Sequence, residues 1–284
     1  MIAFLGLTSA LIYGGSDFFG GLGSRRMSAL LVSFLSQVVA LIIATVATFA
    51  STPNWSTSAV VLGMIAGIGG GIGTWAFFTS LAIGPMSVVS PGVAMIYAVV
   101  PAIVGLALGE RIAPLGYLAL VAVVVAAVLL AVPRQRDAVR LTPRAIVYGS
   151  IAGLGYAGYI IAIARTPRDS GLVPLWLDLC VATLIYTIAL LVNRIRRGPG
   201  ELFGLRDRTA VVQSLLAGVL LIGGNILLVI GLHLGELAVM GVLNALYPLG
   251  TVILAFFVLK ERLSVLQTVG IVLALGASAV LALV

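Results

Sequence analysis

Ten apolar runs, each near or above about 18 residues, follow one another along the chain, and runs of that length mark membrane-spanning helices. They cover residues 2–21, 29–49, 59–83, 85–109, 114–132, 145–164, 172–192, 209–234, 236–259 and 263–284. The connections between most of them are too short for anything but a turn, so consecutive helices are expected to be antiparallel neighbours. The expected fold class is an all-α polytopic membrane protein with ten transmembrane helices. Only 133–144 and 193–208 are longer connections, and neither has room for a domain. Any binding or chemistry must therefore lie inside the bundle.

Composition agrees. Apolar residues make up 61% and charged residues 9% of the chain, with a mean hydropathy of +1.23. Soluble domains run at about 45–50% and about 25%, and a soluble chain of this size lacks the interior to hide so much apolar surface. The first run lacks the basic start and cleavage region of a signal peptide and reads as a retained helix. The formal charge of +7 comes from Lys and Arg concentrated in the connections, which points to lipid headgroups and orientation, not nucleic acid. Thirteen of the sixteen basic residues fall on the side holding connections 1–2, 3–4, 5–6, 7–8 and 9–10, against Arg111, Arg165 and Arg168 opposite. That asymmetry puts the richer side in the cytoplasm and both termini outside the cytoplasmic membrane. Cys180 is the sole cysteine, so no intrachain disulfide can form, and in its apolar run it reads as a small core residue.

Two stretches read alike at an offset of 151 residues: Ala66-Gly67 with Ala217-Gly218, Gly73 with Gly224, Gly84 with Gly235, and Glu110-Arg111 with Glu261-Arg262. The unit is five helices, an odd number, so its second copy enters the membrane inverted. The expected organisation is a first five-helix repeat over 1–132, a connecting loop over 133–144 and a second repeat over 145–284. Inverted repeats are a common transporter design, because two halves that exchange conformations open one site alternately to either side.

The paired segments GPMSVVSPGVAMIYAVVPAIVGLALGERIAPLGYLALVAVVVAAVLLAV and GELAVMGVLNALYPLGTVILAFFVLKERLSVLQTVGIVLALGASAVLAL resemble the ten-helix EamA-type members of the drug/metabolite transporter superfamily. The most specific point of likeness is the helix ending in Glu110 or Glu261, followed by a glycine-rich last helix. The opening YGGSDFFGGLGSRR is similar to a subgroup of that family. The resemblance spans nearly the whole chain. It implies carriage, often export, of amino acids, amines, nucleosides, sugars or related metabolites. It also implies a cavity between the halves, lined by helices one, three, four, six, eight and nine. Some ten-helix members are described with both termini cytoplasmic, opposite to the charge count here.

Glycines, 34 in all, let membrane helices approach closely. Gly63, Gly67 and Gly71 form one stripe on the third helix, where Gly69–Gly71 could also flex. Pro85, Pro114 and Pro143 sit near helix starts, where the missing donor costs nothing. Pro91, Pro101 and Pro248 fall inside spans, so a hinge or helix break is expected at each.

Polar groups in hydrocarbon should point into the bundle. The best candidates for contacting substrate or lining its path are Tyr13 and Asp17 on the first helix, Trp75 on the third, Tyr97 on the fourth, Tyr156 on the sixth, Asn225 on the eighth, and Asn244 with Tyr247 on the ninth. Ser9, Ser16, Ser33, Gln37, Thr74, Ser87, Ser90 and Tyr159 are further polar residues within spans. Trp55, Tyr117 and Trp176 read as well as interfacial anchors. Asp17 and Asp178 are the acids placed within helices. Each could exchange a coupling proton or pair with an ammonium group, and each could equally serve a local structural role. For Glu110 and Glu261 a structural role is expected, pairing with the adjacent connection and capping the helix that follows.

The leading function is secondary transport of a small organic metabolite, an amino acid or amine-like solute, by alternating access and in the export direction. A quaternary-ammonium, choline-type or drug substrate is the alternative within transport, bound on tyrosine or tryptophan faces. A membrane enzyme acting on a lipid headgroup would need clustered acids, histidines or basic groups, whereas these acids are dispersed and His233 is the single histidine. A channel is a third reading. No GxxxxGK[ST] loop is present, so uphill movement would draw on a coupling proton, a counter-solute or the membrane potential. No metal or cofactor is expected. The implied partners are the small-molecule substrate and the bilayer.

Overall fold

The computed structural model describes residues 1–50, 54–84, 86–110, 113–130, 142–197, 204–258 and 264–283. Eleven α-helices lie among them: α1 Ile2–Ser24, α2 Ala29–Ala50, α3 Thr57–Ile83, α4 Met86–Ala107, α5 Pro114–Leu130, α6 Pro143–Ala164, α7 Val173–Arg197, α8 Arg208–Leu234, α9 Leu237–Asn244, α10 Tyr247–Val258 and α11 Val265–Leu283. Six of them, α1, α2, α3, α6, α7 and α8, are long and apolar enough to cross a membrane. Shorter apolar stretches lie at Gly92–Ala107, Pro114–Ala126, Leu237–Thr251 and Thr268–Ala277.

Several starts are set by side chains that satisfy an orphan backbone N–H. Ser56 accepts from Ala59 N–H, Thr142 from Ala145 N–H and Asp207 from Ala210 N–H. At α6 the cap is followed by Pro143 in the first turn. The Ala210 N–H also holds the exposed Asp207 carboxyl below its usual range, and Arg26 Nη1 lies 3.4 Å from Asp207 Oδ2. The turns after α1 and before α8 therefore share one end of the bundle.

The ninth apolar run is two helices, α9 and α10. Pro248 has no N–H to offer the carbonyl of Asn244, so the ladder stops there. The chain crosses the gap with Ala245 N–H donating to Gly241 O at 3.0 Å and Leu246 N–H to Leu243 O at 3.1 Å. By contrast, α4 runs uninterrupted past positions 91 and 101, so the expected break at Pro91 and Pro101 is not found. A proline deletes one rung without ending a helix that neighbours hold in place; here α6 and α9 pack along α4. Pro85 and Glu261 lie outside the described residues.

Contacts between the N-terminal helices α1–α5 and the C-terminal helices α6–α11 come in reciprocal sets. α1 packs on α8 as α3 packs on α6, α2 on α8 as α7 on α3, and α4 on α6 as α9 and α10 pack on α1. α5 packs on α11, α4 on α9 and α2 on α7. Matched glycines sit in matched places. The Tyr13 ring covers Gly224, where an added Cβ would lie 3.1 Å from ring atoms, and the Tyr156 ring covers Gly73, where it would lie 2.9 Å away.

Large apolar side chains are exposed around the bundle, among them Ile42, Val46, Ile65, Leu118, Val121, Leu184, Val219 and Val272. Such a surface is a hazard in water and the expected one in lipid. Inside, α1 and α10 approach closely where Gly14 and Gly250 face each other. A Cβ at Gly14 would lie 2.6 Å from Gly250 Cα, and one at Gly250 would reach the carbonyl of Leu11.

Gly250→Ala should therefore force two backbones apart and lower thermal stability in detergent, by about 1–3 kcal/mol. Gly92→Ala, which meets nothing within 4 Å, should leave it unchanged. Equal melting of the two variants would contradict the tight α1–α10 contact.

Candidate functional site

One cavity of about 60 Å³ lies where the two sets of helices meet. The helical register brings its lining together from far-apart positions. Tyr13, Ser16 and Asp17 come from α1, Gln37 from α2, and Gly70, Thr74 and Phe78 from α3. Tyr97 comes from α4, Tyr156 and Tyr159 from α6, Asp178 from α7, Leu221 and Asn225 from α8, Asn244 from α9 and Tyr247 from α10.

Hydrogen bonds pin these groups across the bundle. Tyr13 OH and Tyr159 OH both donate to Asn225 Oδ1, the latter at 3.0 Å. Tyr156 OH donates to Thr74 Oγ1 at 3.4 Å. The pairs are reciprocal: a tyrosine of α1 reaches α8, and a tyrosine of α6 reaches α3. Tyr247 OH donates to the Ser90 carbonyl at 2.7 Å, and Asn244 Nδ2 to Ser9 Oγ at 3.2 Å. Ser9 and Ser16 donate in turn to the carbonyls of Gly224 and Ala217. The Tyr156 and Tyr247 rings stand edge-on to Phe77, and the Tyr97 ring lies 6.1 Å from Tyr156 and 6.5 Å from Tyr247. The result is an apolar, aromatic chamber with a few fixed polar atoms, the usual form of a small-molecule site.

Seven of the eight path-lining residues expected from sequence meet in this chamber: Tyr13, Asp17, Tyr97, Tyr156, Asn225, Asn244 and Tyr247. Asp178 joins them. Trp75 does not. One residue beyond Thr74, it points elsewhere, edge-on to Tyr148 at 5.7 Å and against the cluster of Leu30, Ala182 and Tyr186. Of the prolines, Pro101 is buried under Gly241, and Pro248 follows the α9–α10 break. Gln37 and Asp178 add α2 and α7 to the wall. A polar residue inside an apolar span was the available signal for both.

At one end of the bundle, a second and more polar cavity of about 270 Å³ is lined by Glu110, Arg165, Thr166, Arg168, His233 and Glu236, among others. Among the described residues, Glu110 meets the start of a distant helix and not of the one that follows it. Its Oε1 and Oε2 accept from Leu237 N–H and Ala238 N–H, each at 2.9 Å, so a carboxylate from the N-terminal half closes the start of α9 in the other. Such charge-assisted bonds to a helix start are among the stronger ones. Thr166 Oγ1 lies 3.2 Å from His233 Nε2. Burial and the nearby Glu110 carboxylate push Glu236 above the ordinary glutamate range, while Arg168 pulls the other way. Among the described residues, no group of three or more His, Cys, Asp or Glu could hold a metal ion.

The model of the EamA-like transporter family matches residues 143–283. A solved structure, titled only as the crystal structure of a protein, aligns over 97% of this chain and 96% of its own, with a TM-score of 0.65 and 18% identity. At that identity the likeness is one of fold alone. No curated protein sequence matches.

Glu110→Ala should strip two buried N–H groups of their acceptor and cost about 2 kcal/mol of stability. Gly105→Ala, whose Cβ would press on the Glu110 carboxylate and lie 2.9 Å from its Cδ, should act in the same direction. Wild-type melting in both variants would remove the clasp from the account. For Glu236, a raised folded-state pKa means that the charged form is disfavoured on folding. Its contribution is fully present at acid pH and fades as pH rises through the folded value. Glu236→Gln should therefore melt higher than wild type at neutral pH, with the gap closing as pH falls through the carboxylate range. A gap of constant size would show that charge is not the cause.

Proposed function

We propose that this chain, which belongs to the EamA-like transporter family of the drug/metabolite transporter superfamily, carries a small organic metabolite by alternating access between two inverted five-helix repeats, 1–132 and 145–284. It is a multi-pass integral membrane protein and a membrane transporter of the drug/metabolite type. The substrate class, the repeat symmetry, export from the cytoplasm and residence in the cytoplasmic membrane with both termini outside belong to the proposal.

The observation that carries it is the chamber itself. Residues separated by more than two hundred positions, such as Tyr13 and Asn225, meet over a single space between the halves. The reciprocal packing of α1 on α8 and α3 on α6 supports the two-fold arrangement, because an inverted repeat must make each inter-half contact twice or across its own axis. The joint at Ala245–Leu246 gives one half a break beside the chamber, as discontinuous helices do in many carriers. Asp17 and Asp178, both on the wall, can exchange a proton or meet a charged solute, which gives coupling to a proton or a counter-solute a place to act.

In proteoliposomes, saturable counterflow of an amine or amino-acid metabolite is the expected result, and flux at near-diffusive conductance would favour a pore. Asp17→Asn should cut transport at least about tenfold, the scale set by losing a charged contact. Unchanged uptake with an unchanged pH profile would take Asp17 out of the mechanism.

A further inference from the structure

Among the described residues, the chamber wall holds acceptor oxygens that no donor meets. Three buried oxygens on the wall have no hydrogen-bond partner among the described residues: Asp178 Oδ1, Gln37 Oε1 and Asn244 Oδ1. Their residues are only 3%, 4% and 0% exposed. A buried acceptor without a donor costs free energy and is uncommon in a folded protein. Three around one space mark a place where something else brings the hydrogens.

Four of the tyrosine hydroxyls on the wall are committed elsewhere. Tyr13 and Tyr159 spend their protons on Asn225, Tyr156 on Thr74, and Tyr247 on the Ser90 carbonyl. A hydroxyl has one proton, so each of these turns only lone pairs to a guest. The charge balance points the same way. Asp17 and Asp178 are on the wall, and no Lys, Arg or His lines it among the described residues.

We propose that the guest is a protonated organic amine, a cation that bears N–H groups and no carboxylate. This rests on the transport reading and narrows it. The N–H groups would reach the three unmet oxygens, the positive charge would answer the two aspartates, and the carbon body would lie on the Tyr97, Tyr156 and Tyr247 rings, whose faces attract cations. A quaternary ammonium ion supplies the charge without the donors and leaves the oxygens unmet. An amino acid adds a carboxylate that finds no cationic partner and two aspartates nearby.

The test is ligand-induced thermal stabilisation of the purified full-length protein. The probes are phenethylamine, butylamine and putrescine, each beside its fully N-methylated quaternary form, with phenylalanine as the zwitterion. At least one amine should raise the unfolding midpoint and bind at least about tenfold more tightly than its quaternary form and than phenylalanine. Asp178→Asn, which keeps the shape, should weaken the amine by a similar factor and narrow the gap to the quaternary form. Equal or tighter binding of the quaternary forms or of phenylalanine would overturn the proposal, and so would no response to any of the three amines. Proteoliposome flux keeps the two readings apart. An amine that binds but is never carried sinks the carrier and leaves the ligand class standing. Counterflow of phenylalanine with no amine binding does the reverse.

Discussion

Lipid offers no reward for pressing one leucine-coated helix against another, since the tails are as apolar as the side chains. Association has to come from backbones that approach closely and from hydrogen bonds that cross between helices. Both are concentrated at the same places in this protein. Gly14 meets Gly250, Gly224 lies under Tyr13, and Gly73 lies under Tyr156. The tyrosines that use the glycine gaps are the ones that reach across to Asn225 and Thr74. Removing Cβ atoms at the interface therefore does two jobs, giving contact and admitting rings to the middle of the bundle.

The chamber follows from that packing. Because the rings enter over glycines, they stand side by side around a space that they do not fill. Because the hydroxyl protons of Tyr13, Tyr156, Tyr159 and Tyr247 are used to hold helices together, these groups offer a guest only their lone pairs. Structural and binding roles are thus divided between the hydrogens and the oxygens of the same groups.

Much of this was legible in the sequence. Long apolar runs fix spanning helices by length alone, and a polar residue inside one has few places to go, so Tyr13, Asp17, Tyr97, Tyr156, Asn225, Asn244 and Tyr247 could be gathered before any coordinates. Trp75 shows the limit. Adjacent residues on a helix point about 100° apart, and sequence alone did not decide whether Thr74 or Trp75 faced inward. Proline was similarly ambiguous: position 248 ends a helix and position 101 does not, a difference made by the neighbours that hold each rung. The partner of Glu110 was out of reach, because its clasp on α9 joins positions more than a hundred residues apart and leaves no local trace.

Asn225 Oδ1 is shared by a hydroxyl from α1 and another from α6. One oxygen has two lone pairs, and both are taken. A guest that drew either tyrosine's proton to itself would have to pull that ring off the amide. Occupancy of the chamber and the mutual position of α1 and α6 would then change together, since the same two protons answer to both.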